Sequence, residues 1–262
     1  MNLDLHGKTA VVCGSTDGIG KATALELAHY GASVILVARN EEKLKTTLGE
    51  LNKDNGQNHN YLVADFDDPS ELKTKLDTLI PSLTSVEILI NNSGGPAGGK
   101  AIDAPLDEYR LAFNRHLICN QILAQAFVPL MKKSGYGRIV NVISTSVKAP
   151  LPGLGVSNTI RGAVANWSKT LANELGEFGI TVNNVLPGAT QTIRLESIIK
   201  NKAAKLSKSE SEIEQEMLNE IPAKRFAQAE ETAAAILFLA SPSGGYINGI
   251  NLPVDGGRLS SL

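Results

Sequence analysis

The sequence predicts a single α/β domain, doubly wound, in which a seven-stranded parallel sheet carries helices on both faces. Three observations support this fold class. Short runs of β-branched and apolar residues recur along the chain, separated by stretches long enough for a helix. Most runs are apolar on both faces, as the strands of a covered parallel sheet are. The first run leads directly into a glycine-rich turn that opens a helix, and strand–helix–strand units of this kind connect by right-handed crossovers.

The individual elements follow from this pattern. The first helix is predicted at Asp17–Tyr30, with Gly20, Ala24, Leu27 and Ala28 on its inward face and Gly31 as its C-cap. The charged segment 190–224 predicts a solvated helical face, and its position before the last strand also allows a substrate lid. Seven strands are predicted, at Thr9–Cys13, Ser33–Ala38, Asn60–Ala64, Val86–Ile90, Arg138–Ile143, Ile180–Leu186 and Ile250–Val254.

Composition narrows the class of protein. With 262 residues, 42% apolar and 20% charged, the chain fits one globular domain spanning 1–262. A net charge of −2 argues against nucleic acid or an anionic membrane as a partner. Cys13 and Cys119 are too few for a disulfide framework, and with four scattered histidines they predict no metal site. We read no signal peptide or membrane helix, the longest apolar run being Ala233–Ala240, so a cytoplasmic protein is expected.

The turn after the first strand has the form expected of a phosphate-binding loop. Gly14 suits a tight turn, Gly18 lets the backbone approach a pyrophosphate, and Gly20 allows close packing of helix on strand. The following helix N-terminus offers unpaired N–H groups and partial positive charge to phosphates. Because strand, glycines and helix occur together, the pattern predicts a Rossmann-type dinucleotide site rather than an ordinary turn.

The end of the second strand indicates which dinucleotide is bound. A site for NAD places an acidic residue there, to accept a hydrogen bond from the ribose 2′-hydroxyl. Here the strand ends in Arg39, which can pair with a 2′-phosphate, while Glu41 and Glu42 come later and follow the Asn40 cap of the next helix. NADP(H) is therefore the predicted cofactor, and a solvated surface arginine is the alternative for Arg39.

Five motifs follow one another along nearly the whole chain: Gly14–Gly20, Asp65, Asn91–Gly94, Pro187–Gly188 with Thr192, and Asp255–Gly257. In this order they resemble the short-chain dehydrogenase/reductase family. Its 3-oxoacyl-(acyl-carrier-protein) reductase branch is the most similar in length and in the closing segment.

The resemblance implies roles in cofactor binding. The pyrophosphate would lie against the glycine turn, and Asp65 would contact the adenine. Asn91 and Gly94 would lie beside the adenosine ribose. The carboxamide of the nicotinamide would lie by three further residues, Pro187, Gly188 and Thr192. The turn residues implied are Gly14, Ser15, Thr16, Ile19 and Gly20.

The catalytic positions depart from the family pattern. The family has a serine after the fifth strand, a tyrosine thirteen positions later, a lysine four after that, and an asparagine on the preceding long helix. Ser144 matches the first position, but Ser157, Arg161 and His116 occupy the others. A serine hydroxyl is a poor substitute for a phenol in proton transfer, and an arginine keeps the charge near the ribose but cannot shuttle a proton. His116 has a suitable intrinsic pKa, so it either replaces the tyrosine through a water or fills a vacated polar position.

Two functional hypotheses remain open. One is an NADP(H)-dependent oxidoreductase, acting on a small-molecule or acyl-thioester carbonyl or alcohol, with a rearranged relay that uses Ser144 alone or Ser144 with His116. The other is a non-catalytic cofactor-binding sensor or partner subunit; a lyase or isomerase is a third, minor possibility. The resemblance implies a homo-oligomer, a tetramer or dimer, with the long helices at Ala101–Lys133 and Ser157–Phe178 forming one interface and the C-terminal strand and tail another.

Overall fold

A computed structural model describes residues 1–261. Seven strands form one sheet: β1 (Thr9–Cys13), β2 (Ser33–Ala38), β3 (Asn60–Val63), β4 (Ile88–Asn91), β5 (Gly137–Val142), β6 (Ile180–Pro187) and β7 (Asn251–Val254). All strand pairs are parallel, in the order β3-β2-β1-β4-β5-β6-β7. The predicted fold class and all seven strands are confirmed, with ends shifted by a residue or two. Because the order reverses between β1 and β4, a crevice opens at the carboxyl ends of these two strands.

Helices cover both faces of the sheet. One buried cluster combines β-strand residues with Leu27, Leu44 and Ile236, and the cluster on the opposite face contains Leu76 and Phe127. The helices are α1 (Gly18–His29), α2 (Glu41–Glu50), α3 (Pro69–Leu79), α4 (Leu106–Phe113), α5 (Cys119–Ser134), α6 (Gly155–Leu175), α7 (Ile193–Leu206), α8 (Glu210–Asn219) and α9 (Ala229–Ala240). No helix within residues 1–261 combines the length and apolar character of a membrane span.

The first helix begins and ends close to the predicted residues. Asp17 is its N-cap, and the Asp17 carboxylate accepts a hydrogen bond from the Gly18 N–H. Tyr30 is the C-cap rather than Gly31, but Gly31 follows with a φ of 97°, the left-handed conformation that ends many helices. Its predicted inward face is buried, as the alternation of small and apolar residues indicated.

The long helices differ from the prediction. Ala101–Asp103 is a separate 3₁₀ turn, and α4 begins only after Pro105, whose fixed φ suits the start of a helix rather than its interior. A π-helical turn at Asn114–Ile118 then joins α4 to α5. The predicted helix Ser157–Phe178 is α6, which starts at Gly155 and ends before a short 3₁₀ turn that reaches Phe178.

A row of asparagines crosses four neighbouring strands, from the carboxyl end of β4 to the first residue of β7. Asn91 on β4, Asn141 on β5, Asn184 on β6 and Asn251 on β7 are in register. Their side-chain amides are linked by hydrogen bonds of 2.8 Å, 3.0 Å and 2.8 Å, in that order along the row. Because a buried amide must find partners, this row fixes the relative register of the strands that support the crevice.

The charged segment 190–224 contains α7 and α8. They enclose a small apolar core of their own, which includes Leu195, Ile199 and Ile213, and they turn charged side chains outward. Ser209 and Glu212 form a capping box at the start of α8. A solvated helical face was predicted here; the structure adds that its inner side is a packed two-helix unit.

Candidate active site

The glycine turn forms a tight cradle at the carboxyl end of β1. Gly14 has a φ of 58°, and a β-carbon at Gly20 would lie 2.1 Å from the Gly14 carbonyl oxygen. Larger residues therefore cannot replace these two glycines without moving the backbone. Gly18 is close to the lid segment, since a β-carbon on it would lie 2.8 Å from Cγ2 of Thr192. The turn and Thr192 thus meet, although 174 positions separate Gly18 from Thr192 in the sequence.

A groove with about 600 Å³ of empty space, part of it open to solvent, runs from this turn across the carboxyl ends of β2 and β4. Its lining includes the predicted residues Gly14, Thr16, Arg39, Asp65 and Gly94. These residues come from separate loops, so the sequence prediction that they share one site agrees with their placement. An adenosine with a neighbouring pyrophosphate fits a groove of this kind, with glycine backbone at one end and a helix N-terminus beside it.

Arg39 lies at the open end of the groove. Its side chain is exposed and forms no ion pair with a described residue, whereas its neighbour Asn40 caps α2 by accepting a hydrogen bond from the Lys43 N–H at 2.9 Å. Glu41 faces away, with its carboxylate bonded to Lys45 and to the hydroxyl of Tyr61. The end of β2 therefore offers a free guanidinium and no carboxylate to the ribose of a dinucleotide.

Asn91 occupies a different place from the one that the resemblance implies. It is buried, and its Nδ2 donates to Oδ1 of Asn141 within the asparagine row, so its side chain does not face the groove. The next residue, Asn92, lines the groove, and its amide donates to the carbonyl oxygens of Cys13 and Gly14 at 3.3 Å. The resemblance implies that Asn91 lies beside the adenosine ribose; in the structure it is the side chain of Asn92 that lines the groove and braces the glycine turn.

Arg115 lines the groove together with Asp65 and Phe66 and was missed by sequence reasoning. Its Nε donates to Oδ1 of Asp67 at 2.6 Å, which holds the guanidinium beside Asp65 and Phe66. Nothing in the sequence pairs these two residues, because they lie 48 positions apart on different elements.

Arg161 and Ser144 both lie at the carboxyl end of β5, and Ser157 is one turn before Arg161 on α6. Ser144 precedes a 3₁₀ turn and accepts a hydrogen bond from the Ser146 N–H at 3.1 Å. Ser157 and Arg161 are four residues apart on α6, hence on one face of that helix. The guanidinium of Arg161 is 8% exposed and donates from Nη1 to the Val142 carbonyl at 3.1 Å. Burial, followed by the charge of Arg194, lowers the pKa of Arg161 to about 10, which leaves it charged at neutral pH.

His116 lies in the π-helical turn and is buried, with 1% of its surface exposed. Its Nδ1 and the Oγ of Ser93 are 2.7 Å apart, and Nε2 has no partner among the described residues. Burial first, and then the charges of Arg161, Arg115 and Arg194, lower the pKa of His116 to about 2. The imidazole is therefore neutral at pH 7 and has no ionisable proton to donate there.

Two further segments close the site. Arg194, in the first turn of α7, donates from Nη2 to the Pro96 carbonyl at 2.7 Å. The same loop is tied to the start of α6, where Gly99 N–H donates to the Gly153 carbonyl at 2.7 Å. Arg194 was also missed from the sequence, because only the fold brings the lid to the loop after β4.

The remaining predicted residues form the wall that begins at β6. Gly188 donates its N–H to the Val254 carbonyl at 2.9 Å, directly after Pro187 at the end of β6. Thr192 is the N-cap of α7, and its hydroxyl also donates to the Thr190 carbonyl at 3.2 Å. Ser15 is buried beneath the turn, and Ile19 packs against the core on one side of the sheet.

A family profile described as "Enoyl-(Acyl carrier protein) reductase" matches residues 14–258. The chain belongs to the short-chain dehydrogenase/reductase family. The 7alpha-hydroxysteroid dehydrogenase of Escherichia coli K12 is 33% identical over 261 residues, which cover 100% of this chain and 98% of that protein. A 3-oxoacyl-(acyl-carrier-protein) reductase of Haemophilus influenzae is 32% identical over 97% of this chain and 98% of its own length.

A solved relative agrees with the fold and the cofactor. The L-sorbose reductase of Gluconobacter frateurii, in complex with NADPH and L-sorbose, matches this short-chain dehydrogenase/reductase with a TM-score of 0.92 and 30% identity, each chain being covered completely. The prediction of NADP(H) is supported by this complex. Because relatives with different substrates have nearly the same identity to this chain, the branch within the family is not decided by similarity.

Proposed function

We propose that this protein is an NADP(H)-dependent oxidoreductase that acts on a carbonyl or alcohol with an altered set of catalytic groups. The observation that carries the proposal is the groove at the carboxyl edge of the sheet, with the glycine turn at one end and the unpaired guanidinium of Arg39 at the end of β2. Arg39 would bind the 2′-phosphate, and Thr16 and the turn the pyrophosphate.

The nicotinamide end of the cofactor would lie beyond this groove, towards Thr192, which is next to Gly18, and towards Gly188 and Arg161. When bound, the cofactor supplies or accepts a hydride. Ser144 would donate its hydroxyl hydrogen bond to the carbonyl oxygen of the substrate. The fixed positive charge of Arg161 would stabilise the negative charge that develops on this oxygen, a role that needs no proton transfer.

The proton must then come from solvent. Ser157 is a far weaker acid than the tyrosine that the family resemblance places at this position, and His116 is neutral at pH 7. Loss of a positioned acid–base group costs about 10²–10⁴-fold in rate. We therefore expect slow turnover on an ordinary ketone. A 3-oxoacyl thioester is a second substrate class, supported by the closing segment Gly249–Gly257 and the similarity to a reductase of that type.

One observation favours a non-catalytic alternative. Neither a serine hydroxyl such as that of Ser157, nor Arg161, nor His116 changes its protonation state near neutral pH, while the cofactor groove keeps its form. A cofactor-binding sensor, or a partner subunit of an active relative, would have these properties.

Turnover separates the two hypotheses. NADPH oxidation is followed by absorbance with saturating NADPH and a panel of ketones, aldehydes, oxo acids and 3-oxoacyl thioesters. The oxidoreductase hypothesis predicts a rate above the protein-free control that falls in Ser144→Ala. No rate with any compound, together with a large gain in the double variant Ser157→Tyr/Arg161→Lys, would establish the non-catalytic alternative.

A further inference from the structure

The guanidinium groups of Arg161 and Arg194 converge on one point beside Gly95. A β-carbon at Gly95 would lie 3.4 Å from Nη2 of Arg194 and 3.9 Å from Nη2 of Arg161. Arg161 comes from α6 and Arg194 from α7, so the point lies between the helix that carries the altered catalytic positions and the lid. Gly95 belongs to the loop that follows β4 and Ser93, close to His116.

Neither arginine has an acidic partner within residues 1–261. The ion pairs of that part of the chain do not include Arg161 or Arg194, and the hydrogen bonds of both go to backbone carbonyls. An arginine that is as buried as Arg161, with a second cation beside it, is unfavourable unless an anion offsets the charge. The neighbouring residues do not provide this anion. Ser93 and His116 are neutral, Arg115 is a third positive charge, and the carboxylate of Asp67 is already bonded to Arg115.

We propose that Arg161 and Arg194 together bind the carboxylate of the substrate, and that the substrate is an oxo acid or hydroxy acid whose carboxylate is adjacent to the reacting carbon. A guanidinium donates two parallel N–H groups, which match one carboxylate oxygen and the neighbouring carbonyl oxygen of a 2-oxo acid. Arg161 would donate to one carboxylate oxygen and to the carbonyl oxygen of the substrate. Arg194, on the lid, would donate to the second carboxylate oxygen. The inference rests on the proposed oxidoreductase function and specifies its substrate class.

The position of Arg194 also predicts how the lid responds. Its Nη2 already donates to the Pro96 carbonyl, so the loop after β4 and α7 are joined next to the anion position. A bound carboxylate would add a link between α6 and α7 through Arg161 and Arg194. Binding of the acid should therefore stabilise the folded protein, and should do so with or without NADPH.

Direct binding tests this site without requiring turnover. Isothermal titration of the apo protein, and of the protein saturated with NADP⁺, is carried out with 2-oxobutanoate and with its uncharged methyl ester. The acid should bind at least about tenfold more tightly than the ester to the wild type, as expected for hydrogen bonds between charged groups. If the ester binds equally well, or if the acid binds to neither form, the proposal is wrong.

Two variants and one control locate the anion. Arg194→Gln removes one guanidinium, and Gly95→Ala places a methyl group at the point of convergence; Gly95 does not have a positive φ, so alanine fits its backbone. Both should lose the preference for acid over ester while keeping NADPH affinity. The control is Gly99→Ala, in the same loop, where no atom lies within 4 Å of the added carbon. This variant should keep the preference for acid over ester. If both test variants keep the preference for acid over ester, the assignment of the anion site is wrong.

Failure of NADPH to bind is a separate outcome. It contradicts the proposed oxidoreductase function rather than the anion site, because the acid is also titrated without cofactor.

Discussion

Arg39 is the residue on which the choice of dinucleotide depends. It is exposed, lines the groove and pairs with no described carboxylate, so its charge is available to a 2′-phosphate. We expect Arg39→Ala to weaken NADPH binding by about 10- to 100-fold, the value of a charge-assisted hydrogen bond, and to leave NADH binding unchanged. Titration calorimetry measures both constants.

Arg110→Ala is a matched control for this substitution. Arg110 is also exposed, but it pairs with Asp107 on α4 and lies outside the groove. The control should bind both dinucleotides as the wild type does. An equal loss of NADPH and NADH affinity in Arg39→Ala would show that the residue supports the groove without recognising the 2′-phosphate.

His116 makes folding stability depend on pH. Its pKa is lowered to about 2 in the folded protein against about 6.5 in an unfolded chain, so the unfolded state binds the proton more readily between these values. The neutral imidazole therefore makes its full contribution to the free energy of unfolding above about pH 6.5. This contribution is lost as the pH falls, by at most about 1.4 kcal/mol per pH unit. Urea unfolding at pH 7 and pH 5 should show a smaller difference for His116→Asn than for the wild type. If the difference between pH 7 and pH 5 is the same in the variant and the wild type, His116 is protonated as readily in the folded state as in the unfolded state.

Individual site residues were predictable where a local motif fixes them. Gly14, Arg39 and Ser144 were predicted because each stands at the end of a recognisable strand. Arg115 and Arg194 were missed because their roles arise from contacts with Asp67 and Pro96, which are remote in sequence. The direction of the Asn91 amide was not predictable from the sequence, because its burial in the asparagine row decides where the amide points.

At the level of elements, the turn between β1 and α1 depends on the absence of a side chain at Gly20. A β-carbon there would meet the Gly14 carbonyl at 2.1 Å, so Gly20→Ala should displace the turn, destabilise the protein by roughly 1–3 kcal/mol and abolish NADPH binding. Denaturant unfolding and calorimetry measure these effects.

Gly162 on α6 supplies the control. No atom lies within 4 Å of a β-carbon at Gly162, and the position is in a helix interior. Gly162→Ala should therefore be neutral or stabilising by up to about 1 kcal/mol, with normal NADPH binding. If Gly20→Ala behaves in the same way, close approach in the turn is not required.

The element boundaries show what periodicity could not predict. The apolar pattern of 101–133 is compatible with one helix, but the structure has a 3₁₀ turn, α4, a π-helical turn and α5. Pro105 is a visible signal for the late start. The π-helical turn around His116 has no signal in the sequence, because it reflects how that residue is buried against Ser93 and α6.

At the scale of the whole molecule, the doubly wound parallel sheet followed from the alternation of strands and helices, whereas assembly depends on surfaces. Ile102, Leu106, Leu111 and Phe113 are exposed on or beside α4, within the predicted helical interface. Phe127, further along the same predicted interface, is a core residue. Exposed apolar clusters on helices commonly mark contacts between subunits.

We expect a homotetramer or homodimer that dissociates when this cluster is charged. Multi-angle light scattering should give a mass of two or four chains for the wild type and a smaller assembly for Leu106→Asp. Leu206→Asp, at the exposed end of α7 and away from both predicted interfaces, should assemble normally. A monomeric wild type would contradict this prediction.

All functional assignments of the site residues depend on the groove binding NADP(H). Titration calorimetry of the purified protein with NADPH, and separately with NADH, measures this directly. We predict micromolar NADPH binding with one site per chain and a clear preference over NADH. Binding of neither dinucleotide would contradict the assignment of the groove and the oxidoreductase function together, and a preference for NADH would contradict the role given to Arg39.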